Sequence, residues 1–343
     1  MKALPMDTGD GRPSAAPVTI YDVAQRAGVG IATVSRAMRG SAPVAEATRA
    51  RVLAAVEELG FRPSHAGTSL AERKHAANGI VFPDLSGPYY AEVLLGYEET
   101  ASRLGRSVLV LATHGRPDPA TAVRDLAGRV DGLVVLGRTI PDHVVEELSA
   151  FGLPIVVVAR PEVDGADSIR ADGLDAARAL GEHLAAHGVR RVAFLGSPEE
   201  SPDVAERWRG VREGLGKHGI EPTVTPCHFD EASGTRVAAG LLAVRERPDA
   251  LVCANDEIAL GAIVAAEEIG LRVGRDIAIT GWDDVMAARH ARPALTTVRQ
   301  PMRTLGALAA EVLDQRITGN RTTPRHESLA TDLVVRDSCG LHP

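Results

Sequence analysis

The feature that most constrains the fold is a series of eight short apolar runs rich in valine, isoleucine and leucine. From Gly79 onward they read GIVFPD, SVLVLATH, DGLVVLG, PIVVVAR, RVAFLGS, TVTPCHFD, DALVCAND and DIAITGWDD, and segments with helical spacing separate them. Short β-branched runs that alternate with amphipathic helices predict parallel sheets with helices on both faces. The larger part of the chain is therefore predicted to be an α/β structure.

The two halves of this region repeat each other at a nearly constant spacing. Such a repeat predicts two similar lobes joined by crossing segments. We assign residues 79–177 with 300–320 to one lobe and residues 178–299 with 321–336 to the other, and residues 337–343 to a tail without leucine heptads. The matching segments, with offsets of 112, 114, 114 and 118 residues, are 80–82 with 192–194, 96–97 with 210–211, 104–105 with 218–219, and 131–133 with 249–251.

Two lobes of this kind enclose a cleft, because ligands of open α/β sheets bind beyond the carboxyl ends of the strands. Closure of the lobes can then report whether the cleft is occupied. Carboxylates and amides opposite aromatic rings predict a polyhydroxylated ligand such as a sugar or nucleoside. Each such residue taken alone is also typical of a turn or a helix cap. The residues that follow the predicted strands are Asp84, Tyr89, Tyr90, Arg160, Phe229, Asp230, Asn255, Asp256, Trp282, Asp283 and Asp284.

Length and composition restrict the class of protein. The 343 residues exceed one typical domain, so two or three domains are expected. No apolar run reaches the roughly 18 residues of a membrane span. The first 17 residues lack the apolar core of a secretory signal and are read as a disordered tail. Three cysteines without metal-type spacing suit a reducing compartment, so we expect a cytoplasmic protein.

Charge is distributed unevenly along the chain. The whole chain carries a net charge of −7, whereas residues 18–75 contain eight Lys/Arg and five Asp/Glu, a net of +3. A small basic segment on a large acidic body indicates that only this segment approaches nucleic acid.

The basic segment begins with VTIYDVAQRAGVGIATVSRAMRGS, which predicts two short helices separated by a glycine-containing turn. Thr19 is a suitable N-cap for the first helix, and Gly28 supplies the positive-φ residue that ends it. A third helix is predicted from about Ala45. Three such helices form a helix-turn-helix module over residues 18–61. From the pattern alone, a plain three-helix bundle with a solvated arginine face remains the alternative.

The second helix of this module has side chains suited to the major groove, where each base pair presents a distinct pattern of donors and acceptors. Short residues near the helix start, Ala32, Thr33 and Ser35, allow the backbone to approach closely. Arg36 can contact a guanine with both arms of its guanidinium. The residues that can neutralise phosphates are Arg39, Arg49 and Arg51.

The segment TIYDVAQRAGVGIATVSRAMRGSAPVAEATRARVLAAVEELGFRP closely resembles the DNA-binding headpiece of the LacI/GalR family of bacterial transcriptional repressors. The resemblance implies that Ile31 and Ala32 select the operator sequence. It also implies fixed groove and phosphate contacts by Thr33, Ser35 and Arg36. The complete predicted DNA-binding set is Thr19, Tyr21, Ile31, Ala32, Thr33, Ser35, Arg36, Arg39, His65 and Leu70.

Residues 62–78 are predicted to be the hinge between the headpiece and the body. In the resembling family the corresponding segment becomes a short helix when two subunits meet on DNA, and a leucine, Leu70 by position, enters the minor groove. Such a wedge kinks the duplex, and the additional contacts offset the cost of unstacking. Gly67 disfavours this helix by about 1 kcal/mol relative to alanine, so an ordinary flexible linker is the alternative.

The resemblance extends over about residues 18–336 and includes the motifs VCANDEIALGA, GWDD and LTTVRQP. It implies that Arg207 grips the ligand, that Phe229 stacks on it, and that Asn255 contacts it. The complete predicted effector-binding set is Asp84, Tyr89, Tyr90, Arg160, Arg207, Phe229, Asn255, Asp283 and Gln300.

One departure from the family concerns the ligand itself. Ala159 stands where many sugar-responsive members carry an aspartate before Arg-Pro. The loss of this carboxylate argues against a plain hexose and makes Asp203 a candidate replacement.

No catalytic arrangement is found in the sequence, and we predict no enzyme activity, no cofactor and no metal site. His183 and His187 have the i, i+4 spacing of a helical metal pair, although a solvated helix face is the more common reason for it. The alternative function is a sugar-binding transport component, which shares the two-lobed body but carries an export signal and no helix-turn-helix. We therefore predict a homodimeric, ligand-responsive repressor that binds a near-palindromic operator in double-stranded DNA.

Overall fold

The computed structural model describes residues 18–39, 43–62 and 75–340, without the side chain of Arg39. The described residues divide into two compact units, one within residues 18–62 and the other within residues 75–340. The predicted tail at residues 1–17, together with His65 and Leu70, lies outside the described residues. In the part of the chain that is described, none of the helices is long and apolar enough to cross a bilayer.

The first unit consists of three helices: α1 (Ile20–Ala27), α2 (Ile31–Arg39) and α3 (Glu46–Leu59). The start of α1 is fixed by the Asp22 carboxylate, which accepts hydrogen bonds from the Thr19 backbone N–H at 2.8 Å and from the Thr19 hydroxyl at 2.7 Å. Gly28, at φ 62°, ends α1 in the left-handed conformation. Each helix contributes a fully buried valine to the core: Val23, Val34 and Val52.

The second unit alternates strands and helices along the chain. Its strands are β1 (Ala77–Phe82), β2 (Ser107–Ala112), β3 (Gly132–Leu136), β4 (Ile155–Val158), β5 (Asp167–Asp172), β6 (Val192–Leu195), β7 (Thr223–Thr225), β8 (Ala250–Cys253), β9 (Ala278–Thr280), β10 (Thr297–Arg299), β11 (His326–Ala330) and β12 (Asp332–Val334). Its helices are α4 (Pro88–Arg103), α5 (Pro119–Ala127), α6 (Asp142–Ala150), α7 (Leu174–Ala186), α8 (Pro202–Gly216), α9 (Glu231–Leu242), α10 (Asp256–Glu268), α11 (Met286–His290) and α12 (Met302–Ile317), and a 3-10 helix, Asp337–Cys339, follows.

Two parallel sheets define the two lobes of this unit. The first has the strand order β11-β5-β4-β3-β1-β2 and the second has the order β7-β6-β8-β9. All neighbouring strands within them run parallel. Strands β1, β3, β4, β6 and β8 are buried along their whole length. They read as continuous apolar runs because helices cover both faces of a parallel sheet, and the predicted α/β class is confirmed.

Neighbouring helices approach closely at glycines. A Cβ at Gly306 of α12 would lie 2.0 Å from the carbonyl oxygen of Val93 in α4, and one at Gly96 of α4 would lie 2.0 Å from the carbonyl oxygen of Arg303 in α12. A Cβ at Gly210 of α8 would lie 2.6 Å from a backbone oxygen of α7. The correspondence of Gly96 and Gly210 in the sequence repeat therefore marks a helix-crossing position in both lobes.

The strand pairing corrects the predicted lobe assignment of residues 326–330, whereas β12 pairs with β10 in agreement with that assignment. Strand β11 lies in the first sheet, parallel to β5, and not with residues 178–299. The Asp167 carboxylate at the start of β5 holds this segment in place. It accepts hydrogen bonds from the Arg325 backbone N–H at 2.7 Å and from the Arg321 guanidinium at 2.5 Å.

Three further boundaries differ from the sequence prediction. Strand β1 begins at Ala77, inside the segment assigned to the hinge. Helix α7 begins at Leu174 and packs on α8, so the predicted lobe boundary at residue 177 falls within a helix of the second lobe. Residues 337–340 are not a tail, because Ser338 and Cys339 of the 3-10 helix are buried.

Candidate functional site

The predicted DNA-contacting residues of the first unit lie at the start of α1 and along α2. Tyr21 is 67% exposed and Ile31 is 39% exposed, which is high for large side chains of this kind. Ala32 and Arg36 are exposed too, and Arg36 Nε donates a hydrogen bond to the Ala32 carbonyl oxygen at 3.1 Å. The other described members of the set are Thr19, which is exposed, and Thr33 and Ser35, which are half-buried.

Three members of the predicted DNA-binding set stay predictions. The side chain of Arg39 and the whole of His65 and Leu70 fall outside the described residues. Arg49 and Arg51 are exposed on α3 and remain available for phosphate contacts.

The strand-end residues of the second unit line a cavity of about 680 Å³. This volume is typical of small-molecule sites, which span roughly 300–1,000 Å³. Its walls come from loops that follow strands of both sheets, so a ligand here contacts both lobes. The lining residues are Pro83, Asp84, Ser86, Tyr89, Tyr90, His114, Leu136, Gly137, Ala159, Ser201, Asp203, Arg207, His228, Phe229, Asp230, Asn255, Glu257 and Asp283.

Arg207, Asn255 and Asp283 form the buried polar part of the cavity wall. Arg207 is 8% exposed, donates a hydrogen bond to the Ala254 carbonyl oxygen at 2.6 Å, and lies with its guanidinium carbon 4.8 Å from the ring centroid of Trp282. The Asp283 carboxylate accepts a hydrogen bond from Gln300 Nε2 at 2.5 Å. Packing against the ring and the carbonyl fixes the direction of the guanidinium, so Arg207 is preorganised for a ligand.

Burial raises the pKa of Asp283 to about 7. The charge of Arg207 and the hydrogen bond from Gln300 lower this pKa, while Glu257 and Asp203 raise it further. Burial also raises the pKa of Asp203 and that of Glu257. The cavity wall therefore contains several carboxyl groups whose burial is not fully compensated by positive charge.

Aromatic rings supply the apolar surface of the cleft. Tyr89 and Tyr90, in the first turn of α4, contact each other edge to face with centroids 5.3 Å apart, and Tyr90 contacts Phe82 at 5.6 Å. Phe229 on the opposite lobe is 44% exposed. Burial raises the pKa of both tyrosines, so they act as neutral hydroxyl groups. Rings on both lobes suit a ligand with an apolar face.

Two helix starts place polar groups at the cavity. The Asn255 side-chain oxygen accepts a hydrogen bond from the Ile258 N–H at 2.9 Å at the start of α10, and its amide nitrogen lies 3.4 Å from Glu257 Oε2. The Asp230 carboxylate caps α9 by accepting from the Ser233 N–H at 2.7 Å. Both residues thus act as helix caps and as cavity lining.

Arg160 does not line the cavity, because its side chain is directed into its own lobe, and its predicted contact with the effector stays a prediction. The guanidinium donates to the carbonyl oxygens of Gly137 at 3.0 Å and Ile140 at 3.2 Å, and it pairs with Asp142. Gln300 does not line the main cavity either, and its predicted contact with the effector stays a prediction. It lies behind Asp283 and lines a small adjacent cavity with Trp282 and Glu206 instead of the main cleft.

The sequence reasoning missed eight of the residues that line the cavity: Pro83, Ser86, His114, Leu136, Gly137, Ser201, His228 and Glu257. His114 follows β2 and His228 follows β7, so the strand-end rule applied to every strand would have included both. Glu257 stands two positions after Asn255 in the motif VCANDEIALGA, which was also a usable signal. Ser201 caps α8 by accepting from the Val204 N–H at 3.5 Å, and no local pattern links it to the cavity.

The chain is similar to bacterial regulators over almost its entire length. It is 34% identical over 328 residues to the HTH-type transcriptional repressor PurR of Proteus mirabilis (strain HI4320), with 93% of this chain and 96% of that protein covered. The chain belongs to the lacI family of bacterial regulatory proteins. Residues 19–64 match that family, and residues 182–339 match the periplasmic binding protein-like domain.

Solved structures of related regulators share the fold of this lacI-family chain. The Lac repressor dimer bound to operator and the anti-inducer ONPF aligns with a TM-score of 0.83 and 30% identity over 95% of this chain and 100% of that chain. The complex of the transcriptional regulator CelR with cellobiose aligns with a TM-score of 0.70 and 31% identity over 94% of this chain and 99% of that chain. These similarities confirm the predicted function, a DNA-binding transcriptional repressor with a ligand-binding effector domain, and favour neither an enzyme nor a transport component.

Proposed function

We propose that this repressor binds a near-palindromic operator as a homodimer in the cytoplasm, and that an effector in the cleft controls its operator affinity. The observation that carries the proposal is the buried pair Arg207 and Asp283 in the wall of a cavity of about 680 Å³ between two lobes. An effector that contacts both lobes binds more tightly to the conformation with one angle between the lobes than to a conformation with another angle. It therefore shifts the equilibrium between these conformations. That shift is what couples the cleft to DNA binding.

The charge of the cleft favours an effector without an anionic group. Among the described lining residues, five carboxyl groups stand against the single guanidinium of Arg207. A phosphate or carboxylate on the ligand would be repelled by whichever of these groups are ionised and could pair only with Arg207, whereas hydroxyl groups and amines can donate to the carboxyl oxygens. CelR, which is similar in sequence and fold, is complexed with cellobiose, an uncharged sugar. The five carboxyl groups are those of Asp84, Asp203, Asp230, Glu257 and Asp283.

The proposed ligand class is tested by thermal unfolding with matched compounds. Cellobiose, glucose, adenosine and guanosine are each compared with a phosphate ester of the same compound. A neutral effector at 100 times its Kd should stabilise the native state by about 2.7 kcal/mol, which corresponds to a Tm increase of several degrees. The shift should disappear in Arg207→Gln. A phosphate ester that stabilises the protein more than its parent compound would contradict the charge argument.

Arg36 is proposed to contact a guanine edge. Arg36→Ala should reduce discrimination between operator and random DNA by roughly 1–3 kcal/mol, the usual value of a bidentate base contact. Competition binding at two salt concentrations measures this ratio, and Arg49→Ala serves as a control that should weaken both DNAs equally. An equal loss on operator and random DNA for Arg36→Ala would make Arg36 a phosphate contact instead.

A further inference from the structure

Three metal-ligating side chains meet outside the effector cleft. His183 lies in the last turn of α7 and His187 caps its end, so the i, i+4 pair shares one helix face with ring centroids 4.6 Å apart. Cys339, which is 156 residues after His183, places its Sγ 3.2 Å from His183 Nε2. One ligand atom from each of the three side chains lies within 4.8 Å of the other two. The fold therefore completes a group of which the sequence spacing shows only two members.

We propose that His183, His187 and Cys339 bind a divalent metal ion of the zinc type. Ligand atoms on a tetrahedral zinc lie roughly 3.3 to 3.6 Å apart, given bonds of about 2.0–2.1 Å to nitrogen and 2.3 Å to sulfur. The ligand atoms of the group lie up to 4.8 Å apart, so the widest of these distances must shorten by about an ångström to reach this spacing. Two imidazoles and one thiolate are donors that zinc prefers over magnesium or calcium, and water completes the fourth position.

The cysteine is held in place by hydrogen bonds around it. The Ser338 hydroxyl donates to the Ile279 carbonyl oxygen at 2.5 Å and accepts from the Thr296 N–H at 2.8 Å, which attaches the 3-10 helix to β9 and the segment before β10. Thr296 Oγ1 lies 2.9 Å from Cys339 Sγ. The same hydroxyl donates its one hydrogen to the Arg336 carbonyl oxygen at 2.9 Å, and it would turn this hydrogen to the sulfur to orient a metal-bound thiolate. The sulfur is thus fixed before the metal arrives.

Metal binding at this position exchanges a proton for the ion. Cys339 is 3% exposed, and without a metal its sulfur carries the thiol hydrogen. Formation of the sulfur–metal bond breaks the S–H bond and releases one proton to solvent, while each imidazole contributes a neutral nitrogen lone pair. The bound ion joins α7 to the C-terminal segment within the second lobe. Because the ion binds only the folded arrangement, it stabilises that lobe.

The competing explanation is a hydrogen-bonded His–His–Cys group that holds no metal. Cobalt(II) distinguishes the two, because a thiolate ligand gives a sulfur-to-cobalt charge-transfer band that nitrogen and oxygen ligands do not give. We expect the reduced, metal-stripped full-length chain to bind one equivalent of Co²⁺ with this band, and Zn²⁺ to remove it. Absence of the band in the wild-type protein overturns the proposal.

Variants assign the band to these residues. Cys339→Ser should abolish it, whereas Cys227→Ser, at another buried cysteine, should retain it. His187→Ala should lower the Co²⁺ affinity more than about 100-fold, beyond the usual loss for an outer-shell partner. His218→Ala, at an exposed histidine that follows α8, should leave the affinity unchanged. His187 is half-buried, so its replacement tests the site even if Cys339→Ser fails to fold. A band that persists in Cys339→Ser, or unchanged affinity in His187→Ala, contradicts the assignment.

Discussion

Gly306→Ala should destabilise the second unit by about 3 kcal/mol, at the upper end of the usual cost of overpacking. The new Cβ would lie 2.0 Å from the Val93 carbonyl oxygen and 2.8 Å from the Tyr97 backbone nitrogen. These are backbone atoms of α4, so no side-chain rotation relieves the contact and the two helices must separate. Because α4 carries Tyr89 and Tyr90 in its first turn, separation also disturbs the effector cleft.

Gly240→Ala is the matched control for this substitution. Gly240 is exposed in α9, and a Cβ there meets nothing within 4 Å. The alanine should stabilise the helix by roughly 0.5–1 kcal/mol through helix propensity alone. Urea unfolding of both variants measures the difference. If Gly306→Ala proved as stable as Gly240→Ala, the close approach of α4 and α12 would be wrong.

Asp283→Asn should make the ligand-free protein more stable above pH 7, and the gain should disappear near pH 4. Burial raises the pKa of Asp283 to about 7 in the folded protein, against about 3.8 in the unfolded chain. The folded state therefore binds this proton more tightly, and the stability that the group contributes is complete below about pH 4 and is lost as the pH rises to about 7. The asparagine carries no charge, so its gain above pH 7 should be on the order of 2–4 kcal/mol. Its oxygen can still accept from Gln300.

Asp284→Asn is the control, because it should have the opposite effect. Burial raises the pKa of Asp284, but hydrogen bonds from Arg336 and Arg299 outweigh it and leave the pKa below its ordinary value. Its contribution to stability is present at neutral pH and is lost in acid, so Asp284→Asn should be destabilising at pH 7. Both residues have positive φ, which asparagine tolerates. Denaturant unfolding from pH 4 to pH 8.5 would refute the charge argument if the two variants changed stability in the same direction.

The strand-end rule, which depends on topology alone, named seven of the 18 residues that line the cavity. Parallel strands bring their carboxyl ends to one edge of their sheet, so the loops that carry Asn255 and Asp283 had to converge. Asp84 follows β1 of the other sheet, and it meets them because both sheets contribute to the same cavity. Arg160 also follows a strand, but its long side chain reaches the carbonyl oxygens of Gly137 and Ile140 instead of the cavity. A position at the end of a strand does not determine which hydrogen-bond acceptors a long arginine side chain reaches.

The sequence by itself determined the features that depend on local pattern: the buried apolar strands, the three headpiece helices with their glycine turn, and the repeat that makes two lobes. Periodicity and capping are properties of neighbouring residues, so they can be read without coordinates. Tertiary structure alone decided which sheet receives β11, and it alone brought Cys339 to His183 and His187. Partners this far apart in sequence are selected by competition among many packings, and that competition leaves no local pattern to read.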